Sequence, residues 1–170
     1  MRALYEEFRP STWSEVIAQD KAIAKIQAIK SRGLDGRALW VSGGSGQGKT
    51  TLAKLIAAEV SSEFDTRELT GRELSVSMLR DLQITWSYVP MSGKGYALII
   101  NEAHGLCKPV IEMLLNLLED MASDRIKRVT IIFTTTVEGN DLFEEQFDAG
   151  PFASRVIPIA LARRDLAGPF

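Results

Sequence analysis

Cysteine and histidine are almost absent from this sequence: Cys107 and His104 are the only ones in 170 residues. A single cysteine excludes an internal disulfide and fits a reducing compartment. One cysteine and one histidine cannot build a Cys/His zinc site. Long apolar runs are missing too. None approaches the roughly 20 residues that cross a bilayer, and the start, Met1-Arg2-Ala3-Leu4-Tyr5-Glu6-Glu7, has no apolar signal core. A cytoplasmic protein without membrane contact is expected. Neither sign of charge dominates, with 20 Lys and Arg against 22 Asp and Glu. Without a global basic field, any nucleic-acid contact has to come from a local patch or a partner. Internal repeats and low-complexity tracts are lacking. What remains is 45% hydrophobic and 25% charged, as for a single globular domain over residues 1–170.

The most informative stretch is Val41-Ser42-Gly43-Gly44-Ser45-Gly46-Gln47-Gly48-Lys49-Thr50-Thr51. It satisfies the phosphate-loop pattern G-x-x-x-x-G-K-[ST] at Gly43, Gly48, Lys49 and Thr50. Its context fits as well, between a short apolar strand over Ala38 to Val41 and a helix over Thr50 to Val60. Glycines at 43, 44, 46 and 48 let the backbone bend around an anion with its N–H groups inward. The helix that follows aims its positive end at the same point. Lys49 supplies a point charge for the terminal phosphates, and the Thr50 hydroxyl is suited to Mg²⁺. Residues 43–51 are therefore the expected contacts of a nucleotide.

The rest of the chain alternates strands and helices. Asp20 to about Arg32 reads as a helix with Ala22, Ile23, Ile26 and Ile29 on one stripe, ended by Gly33 and Gly36. In the helix after the loop, Leu52, Leu55 and Ile56 form the buried face. Phe64 to Leu69 reads as a strand and Ser75 to Ile84, or a little beyond, as a helix with Val76, Leu79 and Leu82 inward. Tyr96 to Ile100 is an unbroken apolar run, as for a strand covered on both faces. Pro109 to Met121 is a helix with Leu114, Leu115, Leu117 and Leu118 inside. Val129 to Thr134 is another buried strand, a polar loop with a short helical piece around Leu142 to Phe147 follows, and Val156 to Leu161 is a last strand whose Pro158 places it at a sheet edge. The alternation predicts an α/β fold: a P-loop NTPase, three-layer α/β/α, around a mostly parallel five-stranded sheet. Ligands of such sheets bind at the carboxyl ends of the strands, where the loop, the residues after Ile100 and those after Phe133 all fall.

After the strand ending at Ile100 comes Asn101-Glu102-Ala103-His104. A strand closing on an acidic pair is the usual metal-holding and water-activating element of a P-loop ATPase. The second acid, Glu102, is present. The first position is Asn101, whose amide oxygen accepts a hydrogen bond from metal-bound water but carries no charge. Charge-assisted bonds are about twice as strong as neutral ones, so weak Mg²⁺ binding and slow hydrolysis are expected. Thr134-Thr135-Thr136 ends the next strand, where a hydroxyl can face the γ-phosphate. Ser154-Arg155 precedes the last strand; read alone, Arg155 is a surface arginine.

In this order the pieces resemble AAA+ ATPases, and within them the clamp-loader subunits of replicative DNA polymerases. Glu7-Phe8-Arg9-Pro10-Ser11-Thr12-Trp13-Ser14-Glu15-Val16-Ile17-Ala18-Gln19-Asp20 looks like the opening Y/W-R-P-x-x-F-x-[ED]-V-[VI]-G-Q-[ED] of that group, with Ala18 for the usual glycine. The resemblance implies that Arg9, Pro10, Val16 and Ile17 contact the adenine. Glu68-Leu69-Thr70-Gly71 looks like the E-L-N-A turn, Ile100 to Leu106 like I-D-E-[VA]-H-x-L, and Leu114 to Asp120 like L-L-x-x-L-E-[ED]. His104 then belongs to a structural pattern. Ile131 to Thr136 resembles the sensor-1 strand, with Thr136 the favoured sensor and Thr135 next. Ser154-Arg155-Val156 resembles S-R-C, which implies a finger arginine at Arg155 acting on a neighbouring subunit. The four-Cys zinc insertion of bacterial clamp-loader motor subunits is missing. The sequence stops soon after the Ser-Arg motif, so a base domain without the helical lid is expected.

The resemblance implies an ATP- and Mg²⁺-dependent ATPase: Glu102, Lys49, Thr136 and Arg155 catalytic, Thr50 and Asn101 at the metal. Its partners would be other AAA+ subunits, with a sliding clamp or DNA as the target, in replication or repair. A hydrolysis-deficient nucleotide-binding scaffold is the alternative that Asn101 and the absent lid favour. A D-E-A-H type helicase box would need two recombinase-like domains, for which the chain has no room. A small-molecule P-loop kinase would need a lid with arginines, which Arg163-Arg164 come too late to supply.

Overall fold

The computed structural model describes residues 4–146 and 149–162. A one-turn helix α1 (Leu4–Glu7) and a 3₁₀ turn (Trp13–Glu15) lead into α2 (Asp20–Ser31). Then follow β1 (Ala38–Ser42), α3 (Lys49–Val60), β2 (Thr66–Thr70), α4 (Val76–Trp86) and β3 (Tyr96–Asn101). A second 3₁₀ turn (Ala103–Gly105) precedes α5 (Lys108–Ala122). The chain continues through β4 (Val129–Thr135), α6 (Val137–Gln146), α7 (Ala149–Ala153) and β5 (Ile157–Ala160).

The strands form one sheet in the order β2-β3-β4-β1-β5. All four pairings are parallel, so among the described residues the "mostly parallel" sheet is entirely so. Both faces are covered, which is why β1, β3 and β4 read as continuous apolar runs rather than alternating ones. On one face Trp40, Leu98, Ile100, Ile131 and Phe133 pack against α4, α5 and the residues of α6 and α7. On the other, Leu39, Val41, Ala97, Ile99, Ile132 and Ile159 pack against α2 and α3. This is the expected three-layer α/β/α arrangement. Pro158 lies on an outer strand, where its missing N–H breaks no ladder.

Two boundaries differ from the sequence expectation by more than one residue. Strand β2 starts at Thr66 rather than Phe64, because the Asp65 carboxylate turns aside to accept from Met91 N at 3.0 Å and Ser92 N at 2.9 Å. Phe64 is left 77% exposed. Helix α4 runs on to Trp86, in keeping with an expected end at Ile84 or a little beyond. The helical piece sought around Leu142 begins five residues earlier, at Val137, because the Thr136 hydroxyl accepts from Gly139 N at 2.9 Å and caps it. Phe147, its expected end, lies outside the described residues, as do Arg163 and Arg164.

Candidate nucleotide-binding site

The loop between β1 and α3 starts where the β1 ladder runs out. Gly43 N donates to Thr135 O at 3.3 Å, which moors the loop to the end of β4. Gly46 and Gly48 have φ of +73° and +88°, and Gly48 is the residue from which α3 starts. That left-handed backbone is cheap only for glycine, and it turns successive N–H groups toward one point, an anion nest. The loop satisfies itself meanwhile. Gly44 N donates to Gln47 Oε1 at 2.6 Å, and Lys49 Nζ donates to Gly44 O at 2.7 Å. Burial depresses the Lys49 pKa, and the charge of Glu138 partly offsets this. The result is a half-buried ammonium that donates, among the described residues, to a carbonyl.

The strand ends converge as the topology requires. Asn101 Oδ1 accepts from Thr134 Oγ1 at 2.9 Å and lies 3.5 Å from Thr50 Oγ1. The side chains of β4, β3 and the first turn of α3 thus meet at one carboxamide oxygen. Glu102 follows directly. It is exposed, with φ +52° and ψ +53°, a left-handed conformation that costs a non-glycine residue about 1–2 kcal/mol. Gly71 permits this corner: a Cβ on it would lie 2.6 Å from Glu102 O. Gly139 does the same for His104, whose Nδ1 a Cβ there would approach to 2.3 Å. The His104 ring shares a hydrogen bond with Thr135 Oγ1 at 3.4 Å, in keeping with its structural reading.

The opening segment reaches the loop from the other side. A cleft of about 530 Å³ is lined by Phe8, Arg9, Pro10, Val16, Ile17 and Gln19 on one wall and by Gly46 to Thr51 on the other. Phe8 and Ile17 are 79% and 70% exposed, an apolar surface held beside polar N–H donors. The segment is held in place by specific bonds. The Glu15 carboxylate accepts from Ser11 N at 2.7 Å, and Trp13 Nε1 donates to Glu59 Oε1 at 2.8 Å. The buried Gln19 side chain clamps Ala162 through both its backbone groups, at 3.1 and 3.0 Å. Ala18 has φ +62°, which explains why a glycine is usual there.

Of the residues singled out in the sequence, Arg9, Pro10, Val16, Ile17 and 46–51 line this one cleft. Gly43, Gly44 and Ser45 form the start of the same loop, and Asn101 meets Thr50. Thr136 is engaged as the cap of α6, and the strand hydroxyl that touches Asn101 belongs to Thr134. Arg155 stands elsewhere, at the amino end of β5. It donates to Glu119 Oε1 at 2.5 Å and to Pro151 O. It borders a depression of about 390 Å³ with Asp35, Gly36 and Asp124.

A family model for the Holliday junction DNA helicase RuvB P-loop domain matches residues 8–136. The chain belongs to this family. It is 32% identical over 126 residues to the Holliday junction branch migration complex subunit RuvB of Thermobifida fusca, covering 72% of this chain and 34% of that protein. The solved RuvB Holliday junction branch migration motor of Thermotoga maritima superposes with a TM-score of 0.66 at 32% identity, over 91% of this chain and 48% of that one. A DNA polymerase III gamma subunit-related protein of the same organism gives 0.63 at 13% identity, over 85% and 47%. At that identity the likeness shows the fold alone. So the chain is an AAA+ P-loop domain of RuvB type, and its clamp-loader resemblance is one of fold. It spans about a third of the length of the curated relatives it matches.

A nucleotide with Mg²⁺ fits the donor set. Among the described residues no three His, Cys, Asp or Glu side chains cluster to hold a metal unaided. The neutral oxygens of Thr50 and Asn101 suit a hard cation that arrives with phosphate ligands and water. Sequence reasoning preferred Thr136 among the three strand-end threonines, and it did not single out Phe8, Glu68 or Glu138. Phe8 was findable as an apolar residue beside Arg9-Pro10; Glu68 and Thr134 needed the strand register, and Glu138 needed the start of α6.

Proposed function

We propose that this domain binds ATP with Mg²⁺ and hydrolyses it as one subunit of an AAA+ assembly acting on DNA in recombination or repair. One observation carries the reading: the glycine-rich loop, the end of β3 and the end of β4 meet at Thr50, Asn101 and Thr134, beside a cleft whose far wall is the opening segment. In this reading the loop N–H groups and Lys49 bind the phosphates, while Arg9, Pro10, Val16 and Ile17, with Phe8, face the base. Thr50 and Asn101 hold the metal or its water. Mg²⁺, when bound, neutralises charge on the β- and γ-phosphates. Glu102 takes a proton from the attacking water as ADP and phosphate separate. Thr136, or the neighbouring Thr134, orients the γ-phosphate. Arg155 serves a neighbouring subunit's nucleotide. The relatives are named for Holliday junction branch migration, and a DNA junction is accordingly the proposed target. A sliding clamp, suggested by the resemblance in sequence, has only a shared fold behind it.

The second reading is a nucleotide-gated subunit that does not hydrolyse. Asn101, in place of a carboxylate, favours it. Phosphate release by the assembled protein, with Glu102→Gln as control, separates the two. Release that the control abolishes supports the ATPase. Nucleotide binding without release in either protein supports the gated subunit. Light scattering with and without ATP and Mg²⁺ tests the assembly itself, and a particle that stays the size of one chain under both conditions removes the basis for a trans-acting Arg155.

A further inference from the structure

Asn101 does more than lack a charge. Its Nδ2 donates to Glu68 Oε1 at 2.8 Å while its Oδ1 faces Thr50 and Thr134. Glu68 sits on β2, the strand beside β3, in the register that pairs Thr70 with Asn101 and Glu68 with Ile99. Side chains two residues apart share a sheet face, so Glu68 and the neighbour of Thr70 point the same way. The carboxamide is therefore held in one orientation: nitrogen toward a carboxylate, oxygen toward the hydroxyl of the phosphate loop. An aspartate at 101 would meet Glu68 as a like charge at this separation, and like charges in contact oppose one another. Glu68 also pairs with Lys54 at 3.3 Å, an exposed contact in which Lys54 dilutes the carboxylate's field without removing it.

We propose that Glu68 supplies, from the neighbouring strand, the negative charge of the Mg²⁺ site, and that it is the positioning residue that aims the Asn101 oxygen at that site. The inference rests on the nucleotide reading above. Asn101 and Glu68 together divide between two side chains the work that one strand-end carboxylate does elsewhere in P-loop ATPases: direction from the amide, charge from the acid one hydrogen bond behind it. Asn101 is then matched to Glu68, and changing it alone does not improve the site.

The test is titration of the full chain with a fluorescent ATP analogue, first in EDTA and then across a Mg²⁺ series, so that the readout is the Mg²⁺-dependent gain in affinity and not turnover. Glu68→Gln keeps an oxygen for the Asn101 amide but removes the charge; it is expected to cut the Mg²⁺-dependent gain about five- to tenfold, the difference between a charged and a neutral acceptor, and to leave EDTA affinity within twofold. Lys54→Ala, which removes the competing cation, is expected to raise the gain about two- to threefold. Asn101→Asp alone is expected to change it less than twofold, and the Asn101→Asp, Glu68→Gln double variant to exceed Glu68→Gln by about tenfold. Two results overturn the proposal: a full gain from Asn101→Asp with Glu68 in place, or additive effects of the two substitutions. A wild-type protein that binds nucleotide with a Mg²⁺-dependent gain unmoved by Glu68→Gln and Lys54→Ala overturns it too, and leaves the nucleotide reading standing. A wild-type protein that binds no nucleotide in either medium overturns the nucleotide reading and this proposal with it.

Discussion

Lys49→Met separates the cost of the phosphate loop from its use. The Lys49 ammonium is half-buried, its charged form is disfavoured by burial, and it donates to the Gly44 carbonyl at 2.7 Å. Methionine keeps the length of the side chain and needs no hydration. Losing the bond to Gly44 O costs about 0.5–1.5 kcal/mol, and relief from desolvating a charge acts in the opposite direction. The stability of the nucleotide-free protein should therefore stay within about 1 kcal/mol of wild type, with either sign. Nucleotide binding should not survive, because charge-assisted bonds to phosphate are worth about 1.5–3 kcal/mol each and Lys49 is the loop's own cation. With ATP at 100 times its Kd, wild type gains about 2.7 kcal/mol of stability, which for a chain of this size is a rise in Tm of roughly 5–10 °C. The assay is thermal unfolding of both proteins with and without ATP and Mg²⁺. Two equal unliganded curves, of which only the wild-type one moves, is the expected result. A variant that shifts as far as wild type refutes the placement of the phosphates on this loop. A variant that unfolds more than about 8 °C early shows that Lys49 is a structural group.

Gln47→Ala should tighten nucleotide binding about two- to tenfold in the same titration, since Gly44 N then no longer donates at 2.6 Å to the Gln47 side chain; weaker binding would mean that Gln47 itself contacts the ligand. Ala18→Gly should stabilise the protein by about 1 kcal/mol in urea unfolding, because Ala18 holds φ +62°, and no change would place the strain elsewhere. Burial works against ionisation of Asp65, but the N–H of Ser92, its hydroxyl, the N–H of Met91 and the Ser62 hydroxyl outweigh it and lower the carboxyl from 3.8 to about 2. The folded value lies below the unfolded one, so the contribution is complete above about pH 4 and disappears as pH falls through about 2. The stability gap between wild type and Asp65→Asn should accordingly narrow on acidification from pH 6 to pH 3, and a constant gap would refute the assignment.

Local signals made most of the fold legible. The alternation of buried strands with helices, the loop spacing and Pro158 are read from neighbours in sequence, and the structure keeps all three. The cleft walls were legible as two motifs, because each is a short segment whose residues act together. Contacts set by strand register were not. That Asn101 meets Glu68, 33 residues back, follows only from pairing β2 with β3 in one register. The choice among Thr134, Thr135 and Thr136 turns on the alternation of β4 and on where it ends: Thr134 faces Asn101, and Thr136 has already left the strand to cap α6. Gly139-Asn140 fell in the polar loop expected before Leu142, and the structure puts both residues in the first turn of α6. There the closeness of His104 excludes any Cβ, and Asn140 accepts from Trp40 Nε1 at 3.0 Å.

The position of Arg155 limits what it can do. Leu39 is level with Ile157 in the pairing of β1 with β5, and Arg155, in the turn before β5, lines one depression with Arg37, before the start of β1. The phosphate loop begins at Gly43, six residues further along the same strand direction. At about 3.3 Å per strand residue that is roughly 20 Å, more than an arginine side chain spans. Arg155 therefore cannot serve the nucleotide of its own chain. In this structure it is held by Glu119 and the Pro151 carbonyl at the far end of the sheet. A catalytic use requires a second subunit whose loop abuts this end, and it requires the Glu119 contact to open. A half-exposed pair of this kind is worth about 1 kcal/mol or less, a small barrier beside the binding free energy of a subunit interface. If assembly on nucleotide does not occur, the same contact leaves Arg155 a structural residue, tying the turn after α7 to Glu119 of α5, 36 positions away in sequence.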